Sequence, residues 1–327
     1  MSAHPPERVT PSPPFTHTGL DYAGPVNVRT TPGRGHKSHK GYIALFVCMV
    51  TRTIHLELVS DYSTPTFLAA FDKFASRRGL PSDLYSDYGT TFQGAERELR
   101  KVIDEVYQNP DVQANIATKR IEWHFIPPSS PHFGGLWKAG VKSVKNLVKR
   151  LLDDYTPTFE ECTTLLSKIG CNLNSRPLGL LRDDPEDIAV LTPGHFLIGR
   201  PMNAVPASST LELKQNRLSR WQFIHHLNEN FWNCWRNEYL HMLQTRQKWR
   251  AERENLRIND IVLIKDLATP PCKWPLARVF KTYPGEDGKV RAVKVKTGTS
   301  TYTRPIVKLI PLHVRDSMAD GEPPQGI

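Results

Sequence analysis

The nineteen residues from Tyr42 to Ser60, YIALFVCMVTRTIHLELVS, restrict the fold more than any other stretch of the chain. The first half is an unbroken apolar run, which suits a strand covered on both faces. A polar turn follows near Thr51-Arg52, and then Ile54, Leu56 and Leu58 alternate with His55 and Glu57. That two-residue period is the mark of a strand with distinct faces. Two strands joined by so short a break pair antiparallel. The segment Phe15 to Val28, with a short strand ending at Gly24-Pro25, adds a third strand, and the polar GRGHKSHKG is the turn between.

Helical periods take over downstream. Ser63-Thr64-Pro65 opens a helix with Phe67, Leu68, Phe71 and Phe74 on one side, and Arg77-Arg78-Gly79 closes it. LPSDLYSD is a short strand, and Gly94 to Tyr107 a helix with Leu99, Val102, Ile103 and Val106 inward. IEWHFIP is another strand, followed by a Gly/Pro loop. From Leu136 to Leu152, Trp137, Val141, Val144, Val148 and Leu151 form a buried helical stripe, and a further helix spans about Thr158 to Leu173. The order β-β-β-α-β-α-β-α resembles a ribonuclease-H-like α/β domain, with a mixed five-stranded sheet and helices on both faces.

Residues 1–12 read as an extended lead-in, 13–175 as this core, and 176–216 as a loop-rich connector. Residues 217–255 read as a helical segment whose stripe (Trp221, Ile224, Leu227, Phe231, Trp235, Leu243) needs a covering surface. Burial of Trp221, Phe231 and Trp235, against the core or a partner chain, is expected. Across 256–312, short alternating strands such as VRAVKVK describe a small SH3-like β-barrel, and 313–327 reads as a disordered tail.

Charge follows this division. Net charge is +10, and Lys214 to Pro311 holds 19 Lys/Arg against 8 Asp/Glu, a net of +11. The rest of the chain therefore sums to about −1, and the basic excess belongs to the C-terminal third. A confined positive field suits a polyanion such as nucleic acid, because phosphates release counterions on contact; a basic surface kept for solubility is the other reading. Five scattered cysteines without a CxxC pair indicate neither a structural zinc nor a disulfide scaffold. No run approaches 18 apolar residues, and the start MSAHPPERVTPSPP is unlike a signal peptide, so an intracellular protein without membrane partners is expected.

Two aspartates stand where chemistry would put them: Asp21 in the first strand, in THTGLDYAGP, and Asp87 in LYSDYGTTF, directly after a short strand. Side by side at neighbouring strand ends, such a pair can bind Mg²⁺ or Mn²⁺, hard ions that prefer carboxylate oxygen. Strand-end and turn aspartates without a metal would look the same. The segments DYAGP, SDYGTTF and PPSSPHFGGLWKAGVKSVKNLVKR resemble the core of integrases of Pao/BEL-type LTR retrotransposons, and Arg217 to Leu312 resembles the C-terminal region of the same polyproteins. The resemblance covers about residues 8 to 312 and lacks the zinc-binding N-terminal module. It implies that Asp21 and Asp87 are catalytic, metal-binding carboxylates that serve metal-dependent phosphoryl transfer, joining element DNA to target DNA.

The departures are as informative. The third carboxylate position holds Lys138, and the Asn of the SDNG pattern is Tyr88. An ammonium in place of a carboxylate removes a ligand and repels the metal, on the order of several kcal/mol at an effective dielectric near 20. Neither Glu160, Glu161 nor Asp83 offers itself as a substitute. Lys138, Lys142, Lys145 and Lys149 recur at steps of four, three and four, so they share one helical face. That face, roughly opposite the Trp137 stripe, would lie beside Asp21 and Asp87, and is either a solvated one or a grip on DNA phosphates; the resemblance implies that Lys142 and Lys145 hold the element's DNA end. Lys281, Arg291, Lys294 and Lys296 offer a second patch for DNA. The expectation is an integrase-like DNA-binding protein, catalytically impaired by Lys138, with no small-molecule substrate. Such a protein would self-associate and reside in the nucleus, or in the cytoplasm before nuclear entry. The alternative is a non-catalytic DNA-binding protein derived from a retroelement integrase.

Overall fold

The computed structural model describes residues 10–31, 37–107, 121–125, 135–152, 155–181, 188–214, 218–244, 255–265 and 268–312, without the side chains of 103–107 and 135–143. The lead-in up to residue 9, His36, the Gly/Pro loop at 126–134 and the tail from 313 lie outside them, as do the side chains of Trp137, Lys138, Val141 and Lys142. The chain divides into two compact units. One comprises Met1–Ser175, Pro193–Glu238 and Pro270–Cys272; the other comprises Arg176–Thr192, Tyr239–Thr269 and Lys273–Ile327.

The first unit is built on a five-stranded mixed sheet: β1 (His17–Arg29), β2 (Ser38–Cys48), β3 (Ile54–Val59), β4 (Asp83–Ser86) and β5 (Glu122–Phe125), in the order β3-β2-β1-β4-β5. The expected hairpin forms, with Tyr42 opposite Val59 and Leu45 opposite Leu56, and β1 pairs antiparallel to β2. β4 joins β1 in parallel and β5 joins β4 in parallel. Two expectations are corrected here. β1 does not stop at Gly24-Pro25: it absorbs them in a register shift between Ala23 and Val26 and runs on to Arg29. Such a bulge lets a strand carry a residue that cannot donate to the ladder. Likewise Ser38, His39 and Lys40, expected in the turn, already belong to β2.

Helix α1 (Thr64–Arg78) starts where its sequence says, with Ser63 accepting from the Thr66 amide and proline in the first turn. Phe67, Phe71 and Phe74 are buried, and Phe74 stacks on Phe46 of β2 at 4.2 Å. α2 (Thr90–Tyr107) begins four residues before the Gly94 start expected for it, directly after the loop that bears Asp87. Leu20, Leu84 and Phe92 complete this core. α3 (Gly135–Leu152) packs on β1 and buries Val144, Leu147, Val148 and Leu152; Leu151, expected inward, is only half-buried. A one-position rotation of the stripe explains the difference, since Leu152 lies one turn beyond Val148.

α4 (Phe159–Asn174) is fixed at both ends. Thr158 and Glu161 form a reciprocal capping box. At the other end the Asn174 carboxamide accepts from the Ile54 amide at 2.9 Å and donates to the Ile54 carbonyl at 2.8 Å. After the short α5 (Pro193–Ile198), α6 (Arg220–Leu243) buries Ile224, Leu227, Phe231, Trp232 and Trp235. Trp221 is corrected: it is 57% exposed, with Lys168 over its ring at 5.3 Å. It sits in the first turn, ahead of the covered stripe, and the tryptophan actually buried beside the stripe is Trp232.

The second unit contains a two-stranded piece, β6 (Gly179–Leu180) with β7 (Val190–Leu191), and a five-stranded antiparallel sheet. Its strands are β8 (Ile261–Ile264), β9 (Leu276–Pro284), β10 (Val290–Lys296), β11 (Thr301–Pro305) and β12 (Leu309–Pro311), in the order β11-β10-β9-β8-β12. Val293 and Val295 are buried as their alternation requires, with Val262, Ile264, Ala277 and Val279. Among the described residues no helix is long and apolar enough to cross a membrane, and the five cysteines are free.

Candidate functional site

Parallel pairing of β1 and β4 matches His17 with Asp83, Thr18 with Leu84 and Gly19 with Tyr85. Continued two residues, the same offset sets Asp21 level with Asp87, which follows the last residue of β4. The two aspartates expected to act together thus fall just past the parallel-paired stretch, Asp21 within β1 and Asp87 directly after β4. The Asp21 carboxylate is 12% exposed. Its Oδ1 accepts from the Tyr22 amide at 2.8 Å, and its Oδ2 takes the Lys145 ammonium at 2.6 Å. On Asp87, Oδ1 is buried and has no hydrogen-bond partner among the described residues.

Tyr62, in the turn before α1, ties the two carboxylates together electrically. Burial raises its phenol above the ordinary value, and the nearby negative charges of Asp87 and Asp21 raise it further. Gly89 leaves room beside them: a Cβ there would come within 3.2 Å of Asp87 Oδ1 and 3.4 Å of the Tyr62 hydroxyl. Tyr88, in the position where the resembled family has Asn, turns outward, 59% exposed, with its ring edge against Phe125 at 5.3 Å.

The lysine row is carried by α3. Lys145 reaches Asp21 and Lys149 is exposed one turn on, while the side chains of Lys138 and Lys142 lie outside the described residues. Lys145 was expected on DNA phosphates, on a helical face beside Asp21 and Asp87; here its ammonium pairs with Asp21 itself. Glu161 and Asp83, not expected to replace the third carboxylate, are engaged elsewhere. Glu161 caps α4 and takes both Arg220 contacts, at 2.5 and 2.8 Å. Burial opposes its ionisation, but Arg220 and the Thr158 amide hold the carboxyl below its ordinary value. Asp83 is held by Ser82 and His124.

In the second unit, Lys294 is the cross-strand partner of Lys281, and Lys296 that of Arg278. Like charges directly opposite each other cost stability in a sheet. Lys281 lies over the Tyr283 ring at 5.4 Å. Arg291 instead clamps Asp287 with two contacts, at 2.9 and 2.7 Å, which hold that carboxyl down to about 2. A further group was not expected from the sequence: His17, Asp83, Glu122 and His124, at the opposite end of the same parallel strands. The His at alternate spacing from Glu in IEWHF was the available signal.

A family model described as a family of unknown function (DUF5641) matches residues 219–312, that is, α6 and the C-terminal sheet. A search of curated proteins finds no match. Among solved structures, the chain is similar to a chain in the cryoEM structure of the simian T-cell lymphotropic virus intasome in complex with PP2A regulatory subunit B56 gamma. Identity is 12% over 96% of this chain and 84% of that chain, at a TM-score of 0.34. A likeness at that score bears no functional weight.

Proposed function

We propose that this chain is an integrase-like DNA-binding protein of the Pao/BEL retrotransposon type, with a ribonuclease-H-like core, an SH3-like C-terminal domain and an impaired strand-transfer site. The observation that carries the reading is the parallel pairing of β1 with β4, whose register extended two residues sets Asp21 level with Asp87, with one buried Asp87 oxygen left without a partner among the described residues. An unsatisfied buried carboxylate oxygen is costly, and a cation beside it would remove that cost. The donor set fits a hard divalent ion: Asp21 and Asp87 would hold Mg²⁺ or Mn²⁺. When bound, such an ion supplies activation of a water or DNA 3′-hydroxyl and stabilises the leaving oxygen.

The chain's own residues set the limits. Lys145 occupies Asp21 Oδ2 and competes with any ion there. Lys138 adds a second ammonium to the same helix in place of the expected third carboxylate, so the site lacks the ligand for a second ion. Phosphate binding is less affected, since lysines position phosphates by charge without needing a fixed fork. Lys142, Lys145 and Lys149 would grip a DNA end, and the Lys281–Lys294 and Arg278–Lys296 pairs would bind phosphates of their own. The non-catalytic, integrase-derived DNA-binding reading is favoured over the active one by Lys138. Self-association on DNA and a nuclear location complete the proposal.

The test combines binding and chemistry. Duplex DNA affinity should fall steeply with salt. Replacing both Lys142 and Lys145 by Ala should flatten the log K against log[salt] slope by about one unit for each phosphate no longer neutralised. Strand transfer in Mn²⁺ should be near background in the unmodified chain, with metal binding restored in Lys138→Glu. A strand-transfer rate in the unmodified chain that Asp87→Asn abolishes would overturn the impaired-site reading. Salt-independent or absent DNA binding would overturn the proposal as a whole.

A further inference from the structure

A second set of metal-ligating side chains stands at the opposite end of the parallel strands. Register places His17 of β1 level with Asp83 of β4, and Asp83 level with Glu122 of β5; His124 lies two residues further along β5, level with Tyr85. Register partners and alternate residues share a face of a sheet, so the pairing itself brings these four side chains together. The ligand atoms of Asp83, Glu122 and His124 all lie within 4.8 Å of one another. Among the described residues this is the one place where three such groups converge.

Asp83 is held in orientation. Its Oδ1 lies 3.0 Å from His124 Nε2 and its Oδ2 receives the Ser82 hydroxyl at 2.5 Å. His17 Nδ1 comes within 2.9 Å of Oδ2, yet it is buried and not aligned in a hydrogen bond. The His124 ring is stacked on Tyr85, centroids 4.6 Å apart and 15° from parallel, which fixes its plane. Glu122 is exposed and His124 is 37% exposed, so a solvent ion can reach the group.

We propose that Asp83, Glu122 and His124 bind one zinc-class divalent transition ion, with His17 positioning Asp83 from behind. Donors on a tetrahedral zinc at about 2.0–2.2 Å are about 3.3–3.6 Å apart, a separation these side chains reach by small rotations. An imidazole among the ligands favours zinc or its neighbours over Mg²⁺ or Ca²⁺, which prefer all-oxygen sets. The ion takes the place of the His124 Nε2 to Asp83 Oδ1 contact, and exposure on the Glu122 side leaves a fourth position for water. A histidine behind a ligating carboxylate is the outer-shell partner that fixes such a ligand. The site is separate from the Asp21–Asp87 pair: His17 and Asp21 are four residues apart on β1, which at about 3.3 Å per residue is about 13 Å.

The full chain, stripped with chelator, is titrated with Zn²⁺ and, in parallel, with Co²⁺ followed by its visible absorption. One ion per chain is expected, unchanged in Asp21→Asn/Asp87→Asn and weakened at least tenfold in His124→Ala and in Glu122→Gln. His17→Phe should weaken it by about tenfold. X-ray absorption on the zinc-loaded unmodified chain needs no variant and should show a nitrogen and oxygen shell that includes imidazole. Sulfur in that shell would move the ion to a thiol site such as Cys171 and Cys272, whose sulfurs are 3.4 Å apart, and overturn the proposal. So would the absence of saturable binding, binding indifferent to His124→Ala, or binding lost with Asp21 and Asp87.

Discussion

Lys145 brings an ammonium to 2.6 Å from Asp21, with 28% of the lysine and 12% of the aspartate side chain exposed. Removing one partner of a pair this enclosed leaves a charge without compensation. Lys145→Met is therefore expected to destabilise the first unit by about 1–3 kcal/mol, between the values for exposed and fully buried pairs, read as a shift of the urea midpoint. Millimolar Mn²⁺ should recover more stability in the variant than in the unmodified chain, because the ion no longer competes with the ammonium; equal recovery in both would mean that Lys145 does not obstruct the site. The aspartates themselves could be singled out in the sequence, Asp21 within the first strand and Asp87 directly after a short one. That the lysine face lies beside them was expected too; the direct pairing of Lys145 with Asp21 was not, because helical spacing tells which lysines share a face but not which atom each one meets. Trp221 failed for a related reason, because a period identifies a stripe and not how far along the helix its cover extends.

At the level of elements, Glu57 joins strand β3 to helix α1. It meets His55 at 3.0 Å and Arg77 at 2.7 Å, with 6% of its side chain exposed. Burial would raise this carboxyl, but the His55 hydrogen bond and the charges of His55 and Arg77 win, so it stays below its ordinary value of 4.5. A folded-state value below the unfolded one contributes stability that is fully present above pH 4.5 and lost as pH falls through the folded value. Denaturant titrations from about pH 6 down to pH 3 should show that loss, and Glu57→Gln should flatten it; an unaltered slope would place the acid sensitivity elsewhere. In the C-terminal sheet the facing Lys281 and Lys294 give the opposite kind of prediction. Lys294→Glu replaces a like-charge pair with an attractive one, worth about 0.2–1 kcal/mol. It should raise the melting temperature at low salt while weakening DNA binding, a split that a purely structural role would not produce. The strands here could be read from alternation alone, whereas the lysine pair lies between two register shifts, Val290/Ala292 and Lys294/Val295, that no local pattern announces.

On the scale of the molecule, charge and architecture divide along the chain: a near-neutral N-terminal part carries the paired aspartates, and the basic excess lies beyond Lys214. That division was legible from composition, as was the succession of strands and helices in the first unit. The strand order was legible only through the ribonuclease-H-like resemblance, because β1 recruits β4 across an intervening hairpin and helix. This order puts β1 in the middle of its sheet, flanked by β2 and β4, with β3 and β5 at the edges. A strand so placed is the last to lose its neighbours, and its amides exchange with solvent deuterium only when the whole unit opens. Thr18 to Ala23 should thus be the slowest-exchanging stretch, and the edge strands should exchange sooner. Asp21 and His17 both hang from that backbone. Their carboxylate and imidazole are anchored to the least yielding rod in the protein, so whatever each holds is held to a fixed point while the chain around it breathes.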